Sequence, residues 1–240
     1  ESVGLVKGVG FNSWRRVDTV LPAIKVYNMR EVDELILLDI EATNEKRDPD
    51  YDEIRDFSRE CFVPFCVGGG ICNIEQIRQL LRAGADKVAI NTAAYNDIAL
   101  ITEGADLFGS QCIVASIDCR NIDGEYHCFS NDGTVDTGYM VEEWAKKVVD
   151  AGAGEILLTS VERDGTMQGY DIELIRRVTS CVSVPVIASG GAGNYEHMRE
   201  AVMDGGASAV AAASIYHFTE QTPREAKEYL QEHGVAVRLM

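Results

Sequence analysis

The chain has 240 residues, 46% of them hydrophobic and 25% charged, with 22 Lys+Arg against 39 Asp+Glu for a formal net charge of -17. That composition excludes a disordered or collagen-like chain, and no apolar run is long enough to span a bilayer. A surface so acidic, with no basic tract, argues against nucleic acid or an anionic membrane as partner and leaves small anions only a local pocket.

Short apolar runs alternate with amphipathic stretches along the whole chain. Strand patterns fall at 5–9, 34–40, 63–67, 87–91, 112–118, 155–160, 184–189 and 209–213, several of them apolar on both faces as in a covered parallel sheet. Helical spacing falls between them at 20–30, 51–61, 74–83, 97–108, 141–151, 171–181, 195–204 and 223–233. Gly84 and Gly152 stand where helices should end. Eight alternations without a linker predict a TIM (β/α)8 barrel, with residues 1–240 as one domain.

An internal repeat supports the barrel. A shift of 121 positions lays VDELILLDI (32–40) on AGEILLTSV (153–161) and VPFCVGGGI (63–71) on VPVIASGGA (184–192). With one more residue, GADKVAINTAA (84–94) meets GASAVAAASI (206–215). Two half-barrels, about 1–110 and 111–240, are therefore expected. The fifth strand, 112–118, projects to positions ahead of Glu1, so most of the first strand is expected upstream, with 5–9 as its continuation or a hairpin arm.

Chemistry in such barrels sits at the C-terminal ends of the strands. There this chain carries Asp39, Gly68 to Gly70, Asn91, Thr92, Asp118, Thr159, Ser160, Ser189 to Gly191 and Ser214. The two glycine runs are repeat mates. They serve either as tight turns or as backbone cradles for two phosphates, the second reading strengthened by Asn91-Thr92 and Ser214 at later strand ends. Asp118 closes the apolar run CIVASID and should enter the barrel mouth as a general acid or base. Asp39 also ends an apolar strand, where it caps a loop or has a task. Asp164, flanked by Gly165 and Gly169, suggests a lid or a turn. At the opposite ends, Glu34, Lys87 and Glu155 form either a salt-bridge ring or a polar gate. Trp14, after Phe11, is expected to cover the barrel. The four histidines share no motif. The seven cysteines form no CxxC pair and have no histidine at ligand spacing, so reduced thiols in a cytoplasmic protein, with no metal and no cofactor, are expected; no signal peptide is seen.

The strings VGGGI, GADKVAINTAA, FGSQCIVASID, GAGEILLTSVERDGTMQGYD, PVIASGGAG and AAASIYHF resemble the HisF family, cyclase subunits of imidazole glycerol phosphate synthase, over essentially the whole chain. The sister isomerase family shares the repeat but not GEILLTS followed by RDGTMQGYD. The resemblance implies a heterodimer with a HisH-like glutaminase docked on the N-terminal face, and ammonia passing through the barrel to a bis-phosphorylated ribulosyl aminoimidazole-carboxamide. Ring closure and C–N cleavage then give imidazole glycerol phosphate and AICAR, a step of histidine biosynthesis. By the same resemblance Asp118 is catalytic, its partner aspartate lying on the first strand ahead of Glu1. Lys7, Asp39, Asn91, Thr159, Asp164 and Ser189 bind substrate. Gly70, Asn91 and Thr92 hold one phosphate, and Gly165, Gly191 and Ser214 hold the other. Glu34, Lys87 and Glu155 belong to an ammonia gate whose arginine lies upstream. The stretch from Leu5 to Leu35 and RECFVPFCVGGGI look closer to HisF-like paralogues of surface-polysaccharide clusters (the WbuZ or AglZ type). That likeness implies an alternative, an ammonia-channelling subunit for sugar amidation without cyclase activity.

Overall fold

The computed structural model describes residues 4–11 and 13–239. The strands in chain order are β1 (Gly4–Val9), β2 (Ser13–Thr19), β3 (Leu35–Leu38), β4 (Phe65–Gly68), β5 (Lys87–Ile90), β6 (Ile113–Ile122), β7 (Glu125–Ser130), β8 (Val135–Met140), β9 (Glu155–Ser160), β10 (Val186–Ser189) and β11 (Ala209–Val210). Seven of them lie side by side in the order β11-β10-β9-β6-β5-β4-β3, every neighbouring pair parallel. Helices follow these strands, as right-handed crossovers between parallel neighbours require. The result is a TIM-barrel architecture.

Alternation of side chains along each strand divides the core in two. Ile36, Cys66, Ala89, Val114, Leu157, Ile187 and Ala211, one from each parallel strand or the residue just beyond it, pack together in a cluster of their own. They form a ring about the barrel axis. The intervening residues, such as Val67, Val88, Ile117, Ile156 and Ala188, join the helices in a larger outer cluster. The helices are apolar on the stripe that meets the strands; Ile77 and Leu80 of Ile74–Ala83, and Trp144 and Val148 of Val141–Asp150, are almost wholly buried.

The edge strands β3 and β11 are brought round to each other through the helix layer. The Tyr27 hydroxyl, on Val20–Met29, lies 2.8 Å from His217 Nε2 on Ser214–Phe218, and Lys227 Nζ reaches Asp33 Oδ1 at 2.9 Å. The repeat also reaches the helix caps, 121 positions apart. Asp50 and Asp171 accept from Glu53 N–H and Leu174 N–H at 3.0 and 3.1 Å, and Asn73 and Asn194 accept from Gln76 N–H and His197 N–H, both at 2.9 Å.

Of the two alternatives for residues 5–9, the structure has the hairpin arm: β1 pairs antiparallel with β2, outside the parallel sheet. Two local expectations change. The strand expected at 112–118 continues to Ile122 and turns through Asp123 and Gly124, at φ 51° and 93°, into β7 and then β8. Asp-Gly between alternating residues is the signal for that two-residue turn. The helix expected at 97–108 is Ala99–Phe108, preceded by a separate turn of helix at Thr92–Asn96. Among the described residues no helix is long and apolar enough to cross a membrane.

Candidate functional site

The parity of the axial ring places what lies above and below it. Two residues before Ile36, Ala89 and Leu157 come Glu34, Lys87 and Glu155, on the same inward face. Lys87 Nζ donates to Glu34 Oε2 at 2.9 Å and to Glu155 Oε2 at 2.8 Å. Burial works against the charge on Lys87, but the two carboxylates outweigh it and raise the ammonium's pKa. Burial raises the Glu34 carboxyl in spite of Lys87, and Glu34 Oε1 is buried with no partner among the described residues.

Two residues after the ring on six of its seven strands come Leu38, Gly68, Asn91, Ser116, Thr159 and Ser189, and two further along β6 comes Asp118. These inward positions, Gly68 apart, line a cavity of about 530 Å³ at the C-terminal mouth. Asp39, Gly70, Thr92 and Asp164 line it too. Asn91 Nδ2 donates to Asp118 Oδ2 at 3.0 Å and fixes the carboxylate from one side. Desolvation, followed by the nearby charges of Asp132 and Asp164, pushes the Asp118 carboxyl up to about 7. A carboxylic acid poised there exchanges protons in either direction near neutral pH.

Asp39 is in a different state. Arg47 grips it with Nη1 and Nη2 at 2.8 and 3.2 Å, and the amides of Glu41 and Ala42 donate to it at 3.1 Å each. Burial alone would raise its carboxyl, but these bonds prevail and hold it below the usual carboxylate range. It organises the loop after β3 as an anion.

Both glycine turns open on the C-terminal mouth. Gly69 and Gly70 have φ 105° and 69°, and Gly190 and Gly191 have φ 90° and 108°, backbone that side chains rarely adopt. The first turn faces the cavity with Asn91 and Thr92. Gly165, Gly191 and Ser214 are not among the cavity-lining residues. For Gly165 the reason is the β1–β2 hairpin: Gly10 N–H donates to the Asp164 carbonyl at 3.0 Å, and a β-carbon on Gly165 would collide with the Gly8 carbonyl; Gly191 instead packs against Gly169, whose N–H donates to its carbonyl at 2.8 Å. Lys7 points away from the cavity, its Nζ 4.2 Å from the centre of the Phe218 ring, while its neighbours Val6 and Gly8 line the cavity. Phe11 lines the cavity as well; the Trp14 side chain lies outside the described residues.

Several lining residues escaped sequence reasoning: Thr43, Asn44, Ser116, Asp132 and Thr134. Ser116 was legible from parity, two before Asp118. Asp132, in the string Asn131-Asp132-Gly133, reads as an ordinary turn between β7 and β8. Six carboxylates, Asp39, Glu41, Glu45, Asp118, Asp132 and Asp164, line the cavity, with no Lys, Arg or His among the described lining residues. An anion here must be held by backbone N–H groups and neutral side chains. Among the described residues, no cluster of three or more His, Cys, Asp or Glu is arranged to hold a metal ion.

Comparison with known proteins agrees with this geometry. A family model described as histidine biosynthesis protein matches residues 1–222. A protein of Chlorobaculum parvum named imidazole glycerol phosphate synthase subunit HisF is 48% identical over 235 residues, covering 98% of this chain and 94% of its own. Proteins of the same name from Chloroherpeton thalassium and Chlorobaculum tepidum are 47% and 46% identical over the same shares of both chains. The chain belongs to the histidine biosynthesis protein family, and within it to HisF.

Proposed function

We propose that this HisF-family chain is the lyase-type cyclase subunit of an imidazole glycerol phosphate synthase, with residues 1–240 forming one barrel of two halves. It receives ammonia at the N-terminal mouth and delivers it to a ribulosyl aminoimidazole-carboxamide bisphosphate at the other. The observation that carries the reading is the vertical order on the barrel axis: the charged trio, the apolar ring, then Asp118 facing the cavity. Ammonia attacks the ribulosyl carbonyl. Asp118 in its acid form protonates the carbonyl oxygen as the C–N bond forms, and as carboxylate it takes back a proton from the added nitrogen; the new hydroxyl leaves as water, and ring closure with cleavage of the other C–N bond releases AICAR. Asn91 holds it in place for both. One phosphate rests on Gly70, Asn91 and Thr92, and the other on Gly165, Gly191 and Ser214 once the hairpin lifts. Lys7, on that hairpin, then swings from Phe218 to the substrate, while Asp39, Thr159, Asp164 and Ser189 line its path.

The N-terminal rim supports a protein partner. Met29, Phe62, Leu107 and Met203 are 75%, 80%, 57% and 53% exposed, each shortly before β3, β4, β6 or β11 and hence on the rim that carries Lys87. Apolar side chains of that size ringing a charged opening suit a docked glutaminase. Glu34 Oε1, buried without a partner among the described residues, could take a further cation to complete the gate. The seven free cysteines suit a cytoplasmic protein.

A second reading, an ammonia-conducting subunit for sugar amidation, draws on the carboxylate-rich cavity. One experiment separates them: the purified protein with the ribulosyl bisphosphate and an ammonium salt should release AICAR, and Asp118→Asn should not. Release no faster than that of the variant discards the cyclase reading.

A further inference from the structure

Asn131, Asp132 and Gly133 have φ of 49°, 55° and 70° in succession. Two adjacent left-handed residues with side chains persist only where the surroundings hold them. Here the turn is held from four sides. Asn131 N–H donates to Thr92 Oγ1 at 3.0 Å, Asn91 Nδ2 donates to the Phe129 carbonyl at 3.4 Å, and Arg120 Nε donates to the Gly133 carbonyl at 3.2 Å. The fourth contact leaves the turn altogether: Asn44 Nδ2, on the short helix Ala42–Glu45 after β3, donates to Asp132 Oδ2 at 2.5 Å.

That last bond spans the glycine turn assigned to the first phosphate. In the sheet β4 and β5 lie between β3 and β6, and β7 continues from β6. A link from the short helix after β3 to the turn after β7 therefore passes over the ends of β4 and β5, where Gly70, Asn91 and Thr92 stand. Each end of the link is one residue from a contact to that site. Thr43 Oγ1 accepts from Gly70 N–H at 3.4 Å, and Asn131 bonds Thr92. Asp132 and Asn44 line the same cavity as all three.

The geometry points to Asp132 as a specificity-determining residue: anchored by Asn44, its carboxylate latches beside the cradle of Gly70, Asn91 and Thr92 and weakens, without abolishing, the cradle's hold on a phosphate dianion. The inference rests on the reading of those three residues as an anion cradle. Among the described residues, Arg47 is engaged by Asp39 and Glu45, and Arg120 faces the Gly133 carbonyl and the Phe129 ring, so neither cancels the charge. Glu41 and Asp118 add like charge to the same walls. Burial and Asp39 raise the Asp132 carboxyl against the opposing pull of Asn44, which fits a carboxylate in an already negative cavity.

The test is a titration with inorganic phosphate followed by NMR at the backbone amides of Gly70 and Thr92, with those of Gly191 and Ser214 as an internal comparison. Asp132→Asn keeps the size of the side chain and its tolerance of left-handed backbone. We expect the phosphate Kd at Gly70 and Thr92 to fall about tenfold in this variant, the scale of one removed like charge near a surface, with no change at Gly191 and Ser214. Asn44→Ala, which frees the carboxylate without removing it, should lower the Kd by a smaller factor. An unchanged or higher Kd at Gly70 and Thr92 in Asp132→Asn overturns the latch while leaving the cradle. Amides of Gly70 and Thr92 that stay still in every protein, while Gly191 and Ser214 respond, remove the cradle and the latch together.

Discussion

At the N-terminal mouth one lysine stands between two glutamates at 2.9 and 2.8 Å, whereas at the C-terminal mouth, among the described residues, six carboxylates line one cavity and Arg47 pairs with Asp39 and Glu45. Both mouths are partly buried, so depth does not separate them. Company does. Opposite charges at hydrogen-bond distance fix the protonation of Lys87 and of Asp39, while burial among like charges leaves Asp118 free to change state near pH 7. The same residue type is a strut in one setting and a proton carrier in the other.

The sharpest way to break that contrast is at Asp118. Asp118→Asn should cut ammonia-dependent AICAR release by at least about 100-fold, while the melting temperature above pH 7 holds or rises because a desolvated charge is gone. A marked fall in melting temperature would make Asp118 a strut as well. At the other mouth, Lys87→Met should lower glutamine-driven turnover about tenfold relative to ammonia-driven turnover. It should also destabilise the fold by about 1–3 kcal/mol, because Glu34 and Glu155 lose their shared donor. Equal loss of both activities would place Lys87 outside any gate.

The pH dependence of stability sharpens the contrast further. The folded state holds the Asp118 proton up to about pH 7, whereas an unfolded chain releases it near pH 4. The stability this group contributes is therefore complete below about pH 4 and is lost as pH rises through about 7. Between those limits, urea unfolding should show stability falling more steeply with pH in the wild type than in Asp118→Asn. A gentler change is Gly165→Ala, which sets a β-carbon against the Gly8 carbonyl at φ 72°. It should loosen the β1–β2 hairpin and speed tryptic cleavage at Lys7, Arg15 and Arg16 several-fold, while the core loses only about 1 kcal/mol. Smallest of all, Arg47→Ala should let the Asp39 carboxyl climb, seen by NMR titration, with a stability change under about 1 kcal/mol for so exposed a pair.

The barrel was legible because its signals are local and repeated: apolar runs, capped helices, and a 121-residue repeat that proves to extend to Asp50 and Asp171. The inward set was legible as well, since Asp118, Asn91, Thr159 and Ser189 share the parity of the axial ring. What escaped lies where distant segments meet. Arg47 binding Asp39 joins residues eight apart through an irregular loop, and Asn44 meets Asp132 across 88 positions. Neither is encoded in any period. The covering of Gly165 by the hairpin is of the same kind: the glycines read as a lid or a turn, but which segment lies on them depends on a contact between Gly10 and Asp164.

The collar made by Ile36, Cys66, Ala89, Val114, Leu157, Ile187 and Ala211 has a consequence for what form nitrogen takes in transit. An ammonium ion would shed its hydration among hydrocarbon walls at a penalty of several kcal/mol, whereas the uncharged molecule crosses the same walls at little expense. On the reading of this barrel as an ammonia path, nitrogen would give up its extra proton at the lower doorway, and ammonium would be turned away there. The nucleophile would reach the upper chamber already basic, and whatever acidity the reaction needs would have to be on hand when it arrived.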